Sequence, residues 1–98
     1  MKTIDINIKI RFCRLEELSE EDRQLVEMAV EATNNAYAKY SNFRVGAAVR
    51  LENGLLMKGA NQENAAFPVT LCAERTAIFA AQANYPEQPI TAIAIAAK

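Results

Sequence analysis

Apolar and polar residues alternate without interruption near the N-terminus, from residue 4 to residue 12. A period of two residues is typical of a β-strand with one buried face. The pattern therefore predicts a half-buried strand over residues 4–12. Its apolar side would carry Ile4, Ile6, Ile8, Ile10 and Phe12.

A helical period follows this segment. Ser19, with Asp22 three residues later, resembles a capping box at a helix N-terminus. Apolar residues then recur every three or four positions, which predicts an amphipathic helix over residues 20–38. The recurring positions are Leu25, Met28, Ala29, Ala32 and Ala36.

The middle of the chain indicates a β-hairpin. RVGAAVRL, residues 44–51, is small and apolar, as suits a closely packed strand. Asn53-Gly54 is a strong hairpin turn signal, and residues 55–60 supply the returning strand.

The last third of the chain predicts a loop, a helix and a strand. NQENAAFPV, residues 61–69, is a polar loop, and Thr70 is an N-cap candidate for a helix over residues 71–83. ITAIAIAA, residues 90–97, is typical of a strand covered on both faces. The whole order predicts an α/β domain in which helices cover a mixed sheet. Because a buried strand usually feeds a further element, we expect the chain to be cut short after this strand.

Length and composition narrow the function classes. Ninety-eight residues predict one domain over 1–98, and a net charge of −1 gives no electrostatic case for binding nucleic acid or an anionic membrane. The sequence shows neither a transmembrane run nor the apolar core of a signal peptide, so we expect a cytoplasmic protein. The two cysteines are then expected as thiols, and histidine is absent.

The start of the last predicted helix carries three side chains that are costly to bury, those of Cys72, Glu74 and Arg75. Glu74 lies at helical spacing from Leu71, Ile78 and Ala81, inside an apolar stripe. It is either a first-turn acid stabilised by the helix dipole or a carboxylate that shuttles protons. Cys72 is either a small buried residue or a thiolate stabilised by the helix N-terminus.

Three stretches in this order, YSNFRVGAAV, NQENAAFP and LCAERTAIF, carry a resemblance to a known family. From about Ala29 onward the chain resembles cytidine deaminase, the zinc-dependent nucleoside enzyme of the tetrameric type. The resemblance implies a three-layer α/β/α fold with a mixed sheet, of which the C-terminal part is missing here. It also implies hydrolysis of cytidine or deoxycytidine to uridine or deoxyuridine by zinc-activated water, in pyrimidine salvage.

The same resemblance implies roles for residues of the last stretch. Cys72 corresponds to the first zinc ligand, and the absence of histidine agrees with the three-cysteine variant of the site. Glu74 corresponds to the acid and base that takes a proton from the zinc-bound water and delivers protons to N3 and the departing amine. Arg75 corresponds to the arginine that hydrogen-bonds the ligand sulfurs, and Ala73 to a substrate-binding position.

The other two stretches correspond to the substrate-binding residues. Asn61 and Glu63 match the pair that binds the ribose hydroxyls, and Phe43 matches the aromatic residue that packs on the pyrimidine. Without the resemblance, Asn61 and Glu63 are ordinary polar loop residues and Phe43 is a core anchor.

The family completes its zinc site with a Pro-Cys-x-x-Cys element that this sequence does not contain. Cys13 is the only other cysteine, and it lies outside the resemblance. We therefore expect the 98-residue chain alone to be inactive, and a homo-oligomer, either a tetramer or a dimer. The alternatives are an inactive module that only oligomerises and a related small-molecule deaminase of the blasticidin S type, although Asn61 and Glu63 favour a nucleoside.

Overall fold

The computed structural model describes residues 1–39, 42–63 and 72–98. In these ranges two α-helices and three strands follow one another along the chain. They are α1 (Glu20–Ala32), β1 (Val45–Leu51), β2 (Leu56–Ala60), α2 (Ala73–Asn84) and β3 (Ile90–Ala97). Neither of these helices is long and apolar enough to cross a lipid bilayer.

The strands form one sheet with β1 in the centre, between β2 and β3. Both neighbours pair with β1 in the antiparallel direction, with Gly46 opposite Ala60 and Ala96. Among the described residues the parallel pairing is a single bridge between Tyr37 and Gln62. This bridge lies outside the three strands, which pair with one another only in the antiparallel direction, so they do not form the mixed sheet expected from the sequence.

The two helices cover opposite faces of the sheet. Successive side chains of a strand point to opposite faces, so Ala48 packs with Leu25 and Ala29 of α1. The odd-numbered residues of β1 pack against α2, in a cluster of Ala47, Val49, Leu51, Ala73, Ala77 and Ala81. The predicted three-layer α/β/α arrangement is confirmed.

The hairpin between β1 and β2 turns where the sequence predicts. Gly54 has a φ of 89°, a conformation that glycine adopts without steric cost. Its N–H donates to the Leu51 carbonyl at 2.9 Å, and the Asn53 Oδ1 accepts from the Leu55 N–H at 3.1 Å. Both turn residues act through local geometry, which is why the dipeptide is readable from sequence.

Helix α1 begins as predicted but ends early. Ser19 is the N-cap, and its Oγ accepts from the Asp22 N–H at 3.2 Å. The helix ends at Ala32 rather than at residue 38, because the chain tightens there into a 3-10 turn over Thr33–Asn35. The Thr33 hydroxyl donates to the Val30 carbonyl at 2.6 Å, the kind of side-chain bond that competes with continued helix.

The predicted strand over residues 4–12 is not formed. Residues 1–14 contain no helix or strand, and every side chain among them is exposed, with Phe12 at 97%. A strand needs a partner for its N–H and C=O groups, and none of the described strands pairs with this segment. Alternation marks the segment as suited to a sheet but does not supply the partner.

Strand β3 has the predicted bounds but not the predicted coverage. Its inward residues, Ala92, Ala94 and Ala96, pack on the α1 side of the sheet. On the opposite face Ile93 and Ile95 stay 45% and 57% exposed, because α2 lies mainly over β1 and β2. In the described part of the chain, one face of β3 is therefore covered and the other is open.

Candidate active site

The antiparallel register brings three chain segments to one end of the sheet. Val45, the first residue of β1, lies opposite Ala97 of β3, and Gly46 lies opposite Ala60, the last residue of β2. Phe43 precedes β1 and Glu63 follows β2, so both belong to this end, which we call the site end. Strand pairing thus brings these two residues, which are far apart in the sequence, to the same end of the sheet.

Helix α2 reaches the site end because Gly59 lets it lie against β2. A Cβ atom on Gly59 would fall 2.9 Å from the Ala73 carbonyl oxygen and would overlap the Ala77 nitrogen. The first turn of α2 therefore packs directly on the backbone of β2. This contact places Cys72 and Glu74 near the same end of the sheet as Asn61.

Cys72 is the N-cap of α2, two residues later than the predicted N-cap at Thr70. The predicted helix over residues 71–83 therefore starts two residues too early. Its carbonyl accepts from both the N–H and the hydroxyl of Thr76, at 3.0 Å and 2.9 Å. The thiol is free and exposed, and it makes no capping hydrogen bond.

Glu74 is the second residue of α2 and is half-buried. The buried stripe of the helix is formed by Ala73, Ala77 and Ala81. Glu74 borders this stripe rather than occupying its centre, so its carboxylate keeps access to solvent. Leu71, which the sequence analysis placed in the stripe, lies outside the described residues.

The neighbours of Glu74 divide between the core and the surface. Ala73 is 1% exposed and its methyl group packs against the sheet. Any contact of Ala73 with a substrate would therefore use its main chain. Arg75, the third residue of the helix, is exposed.

The substrate-binding candidates lie together at the site end. Phe43 is 57% exposed, so it is not the core anchor of the alternative interpretation. Glu63 and Asn61 are half-buried. The Glu63 N–H donates to the Tyr37 carbonyl at 2.8 Å, and the Asn61 side chain hydrogen-bonds the main chain of Phe43 and Val45.

Sequence reasoning missed three residues that build this end of the molecule. Tyr37 pairs with residues 61–63, and Gly59 allows α2 to pack closely on β2. Thr76 donates two hydrogen bonds to the Cys72 carbonyl. Gly59 alone carried a signal, because an isolated glycine inside a strand often marks a close backbone approach. Tyr37 and Thr76 look like ordinary residues until their partners are known.

The described residues do not form a complete metal site. No group of three cysteine, histidine, aspartate or glutamate residues is placed to hold an ion among residues 1–39, 42–63 and 72–98. Cys72 is a possible zinc ligand at the start of α2, whereas Cys13 is exposed in the N-terminal segment that forms no strand. A catalytic zinc needs three protein ligands, so these residues do not fit the metal by themselves.

Residues 19–97 match the family model described as the cytidine and deoxycytidylate deaminase zinc-binding region. The chain belongs to the cytidine and deoxycytidylate deaminase family. It is 46% identical over 77 residues to a cytidine deaminase from Halalkalibacterium halodurans. Cys72 and Glu74 lie within the residues that match this family model.

Solved cytidine deaminases share the fold. The crystal structure from Burkholderia pseudomallei superposes with a TM-score of 0.73 at 41% identity, and covers 83% of this chain. The structure from Mycobacterium tuberculosis gives a TM-score of 0.74 at 32% identity over 81% of this chain. Each match confirms the resemblance stated from the three sequence stretches.

The chain spans only part of the length of these relatives. It covers 58% of the Halalkalibacterium halodurans protein and 63% of each of the Burkholderia pseudomallei and Mycobacterium tuberculosis chains. The remaining part of those proteins has no counterpart among the 98 residues.

Proposed function

We propose that the protein is a zinc-dependent cytidine deaminase that hydrolyses cytidine or deoxycytidine to the corresponding uridine and ammonia, in pyrimidine salvage. The chain supplies the substrate-binding and proton-transferring residues of that reaction. The observation that carries the proposal is the convergence of Phe43, Asn61, Glu63 and the start of α2 at one end of the sheet. These residues come from three separate stretches of sequence.

The substrate-binding roles follow from side-chain chemistry. Phe43 is an exposed aromatic residue, the type of side chain on which a pyrimidine can pack. Glu63 carries a carboxylate that accepts hydrogen bonds from hydroxyl groups, as a ribose presents. The half-buried position of Glu63 limits its rotamers, and this favours binding one nucleoside orientation.

Glu74 is proposed as the acid and base. A deamination needs a proton at ring nitrogen N3 and another on the departing amine, and a single carboxyl group can carry both in turn. Glu74 lies on the first turn of α2, half-buried and beside the buried Ala77. A helix fixed to the sheet holds this carboxyl group more rigidly than a loop would.

Zinc, when bound, would supply a Lewis acid that lowers the pKa of a water molecule. Cys72 is the ligand that we assign to this chain, and Arg75 is proposed to support the ligand sulfurs. Because the described residues do not complete the site, the roles of Phe43, Glu63 and Glu74 are derived without the metal.

The 98-residue chain alone is expected to bind no zinc tightly and to deaminate nothing. It provides one assigned ligand of three, and most of the binding free energy is lost with the other two. The measurement is elemental analysis of the purified chain after zinc loading and removal of free metal, with a parallel cytidine assay. Cys72→Ala and Cys13→Ala variants serve as controls, since neither should change a zinc content that is already low.

The proposal itself is tested by a cytidine deamination assay on a longer form of the protein, one that spans the full length of its relatives. We expect turnover of cytidine and deoxycytidine in that form and none of blasticidin S. Stoichiometric zinc or cytidine turnover in the 98-residue chain contradicts the expected inactivity. A full-length form without turnover contradicts the deaminase proposal and favours a module that only oligomerises.

The protein is also proposed to be a cytoplasmic homo-oligomer, either a tetramer or a dimer. Both cysteines are free thiols, as is usual in a reducing compartment. Apolar side chains are exposed on β3 at Ile93 and Ile95, and along the N-terminal segment. Burying such patches usually drives association.

Light scattering at micromolar concentration should therefore give the mass of two or four chains. Replacing both Ile93 and Ile95 by threonine, which keeps the β-branched shape of a strand residue, should shift this mass toward one chain. A single-chain mass for the unmodified protein contradicts the prediction.

A further inference from the structure

We propose that Asn61 is a positioning residue whose side-chain amide takes the place of a main-chain peptide group at the edge of the sheet. By doing so it holds Phe43 at a fixed place relative to Glu63. The roles of Phe43 and Glu63 rest on the proposed function. The structural part, that Asn61 stabilises the segment from Phe43 to Val45, rests on hydrogen bonds alone.

The pairing of β1 with β2 changes character at Asn61. Residues directly opposite in a hydrogen-bonded antiparallel pair exchange two N–H···O=C bonds. Val45 and Asn61 are the next pair after Gly46 and Ala60, and the Asn61 N–H does donate to the Val45 carbonyl at 3.1 Å. The returning bond would run from the Val45 N–H to the Asn61 carbonyl.

That carbonyl is used elsewhere. The Asn61 carbonyl accepts from the Tyr37 N–H at 3.0 Å, and two residues later the Glu63 N–H donates to the Tyr37 carbonyl at 2.8 Å. The main chain therefore leaves β1 at Asn61 and pairs with Tyr37 instead. Without another acceptor, the Val45 N–H would lose its bond at the point where β1 begins.

The Asn61 side chain supplies the missing acceptor. Its Oδ1 accepts from the Val45 N–H at 3.0 Å, and its Nδ2 donates to the Phe43 carbonyl at 2.9 Å. One carboxamide thus bonds both a donor and an acceptor of the neighbouring strand, as a peptide group in a ladder does. The Arg44 carbonyl, between them, accepts from the Lys98 N–H on the other side at 2.8 Å.

Only asparagine fits this arrangement. Aspartate keeps the acceptor for Val45 but lacks the N–H that reaches the Phe43 carbonyl, glutamine is one methylene longer, and alanine offers neither group. The amide retains one N–H and one lone pair that these two bonds do not use. Positioning Phe43 and binding a ribose hydroxyl are therefore separate tasks, and they can be measured separately.

The structural test is amide hydrogen exchange in the 98-residue chain, without substrate or metal. In Asn61→Ala the Val45 N–H should exchange roughly 10-fold faster or more, because a half-buried donor has lost its acceptor. Asn53→Ala is the matched control. It removes an Oδ1 that also accepts a main-chain N–H, but at the opposite end of the sheet, and should leave Val45 unchanged.

The functional test compares two substrates in a form of the protein that turns over cytidine. The loss in kcat/KM caused by Asn61→Ala, about 10–10²-fold for a misplaced binding group, should persist with 2′,3′-dideoxycytidine, which lacks the 2′- and 3′-hydroxyls of the sugar. The loss caused by Glu63→Gln should disappear with that substrate. If Asn61→Ala does not fold, Asn61→Asp is used, and it should show the same persistence with a smaller change at Val45.

Each result decides the proposal. Unchanged exchange at Val45 in Asn61→Ala, or an activity loss that vanishes with the dideoxy substrate, overturns positioning and leaves Asn61 as a ribose ligand only. A protein that never turns over cytidine contradicts the proposed function, and the exchange measurement on Val45 then still decides whether Asn61 stabilises the segment. Faster exchange together with a persistent loss supports positioning.

Discussion

Replacing Glu74 by glutamine should lower the rate of cytidine deamination by about 10²–10⁴-fold in an active form of the protein, the range typical of general acid–base catalysis. Glutamine has nearly the same shape as glutamate, but its amide cannot accept and release a proton near neutral pH. The half-buried position of Glu74 on α2 is kept. We therefore expect kcat to fall while KM and zinc content stay close to those of the unmodified protein.

The measurement is steady-state turnover of cytidine followed by absorbance, with zinc content determined on the same samples. Glu87→Gln is a matched control, because it makes the same chemical change at an exposed residue beyond the end of α2. It should leave kcat unchanged. Turnover near that of the unmodified protein in Glu74→Gln would remove Glu74 from the proton-transferring role.

Gly59→Ala is expected to destabilise the fold by about 3 kcal/mol, the upper end of the range for overpacked sites. The added methyl group would meet the main chain of Ala73 and Ala77 rather than a flexible side chain. Main-chain atoms in a packed helix cannot rotate away, so α2 has to shift as a unit. Urea unfolding of the 98-residue chain measures the free-energy loss.

Gly54→Ala separates steric overlap from backbone strain. Gly54 has a positive φ but no atom within 4 Å of an added Cβ, so alanine there should cost roughly 1 kcal/mol from backbone strain alone. The NMR chemical shifts of the α2 amides should change in Gly59→Ala and remain unchanged in Gly54→Ala. Equal stabilities for the two variants would show that α2 does not pack on Gly59 as closely as the structure has it.

Elements with a local physical cause were predictable from sequence. The Asn53-Gly54 turn and the Ser19 cap depend on residues a few positions apart, and both are where the sequence predicts. The bounds of β3 also follow from the short, almost entirely apolar run between Pro89 and Lys98. In these cases the local sequence pattern and the tertiary contacts favour the same structure.

Elements that depend on a distant partner were not predictable. Residues 4–12 have a perfect strand pattern but pair with no described strand. Helix α2 starts after Cys72 rather than after Thr70, and capping preferences alone favour threonine. Propensity is a weak guide at such points because packing of the whole helix decides where it begins.

The candidate site shows the same division. The roles of Phe43, Glu63 and Glu74 are predictions from resemblance, and the family model agrees with the resemblance of the chain as a whole. The double use of the Asn61 amide could not, because it arises only once the chain has turned away from β1 toward Tyr37. A point at which three chain segments meet produces no periodic pattern of residues that could be recognised in a sequence.

The alanine-lined contact between α2 and the sheet has a thermodynamic consequence for the helix that carries Glu74. Ala73, Ala77 and Ala81 allow a close approach but each buries little apolar area, so α2 is bound to the rest of the molecule less strongly than a leucine-rich helix would be. Partial detachment of α2 is therefore expected to cost less than detachment of a leucine-rich helix of the same length would. Any ligand that contacts both α2 and β2 stabilises the attached state, so folding of this helix and occupancy of the site are thermodynamically linked.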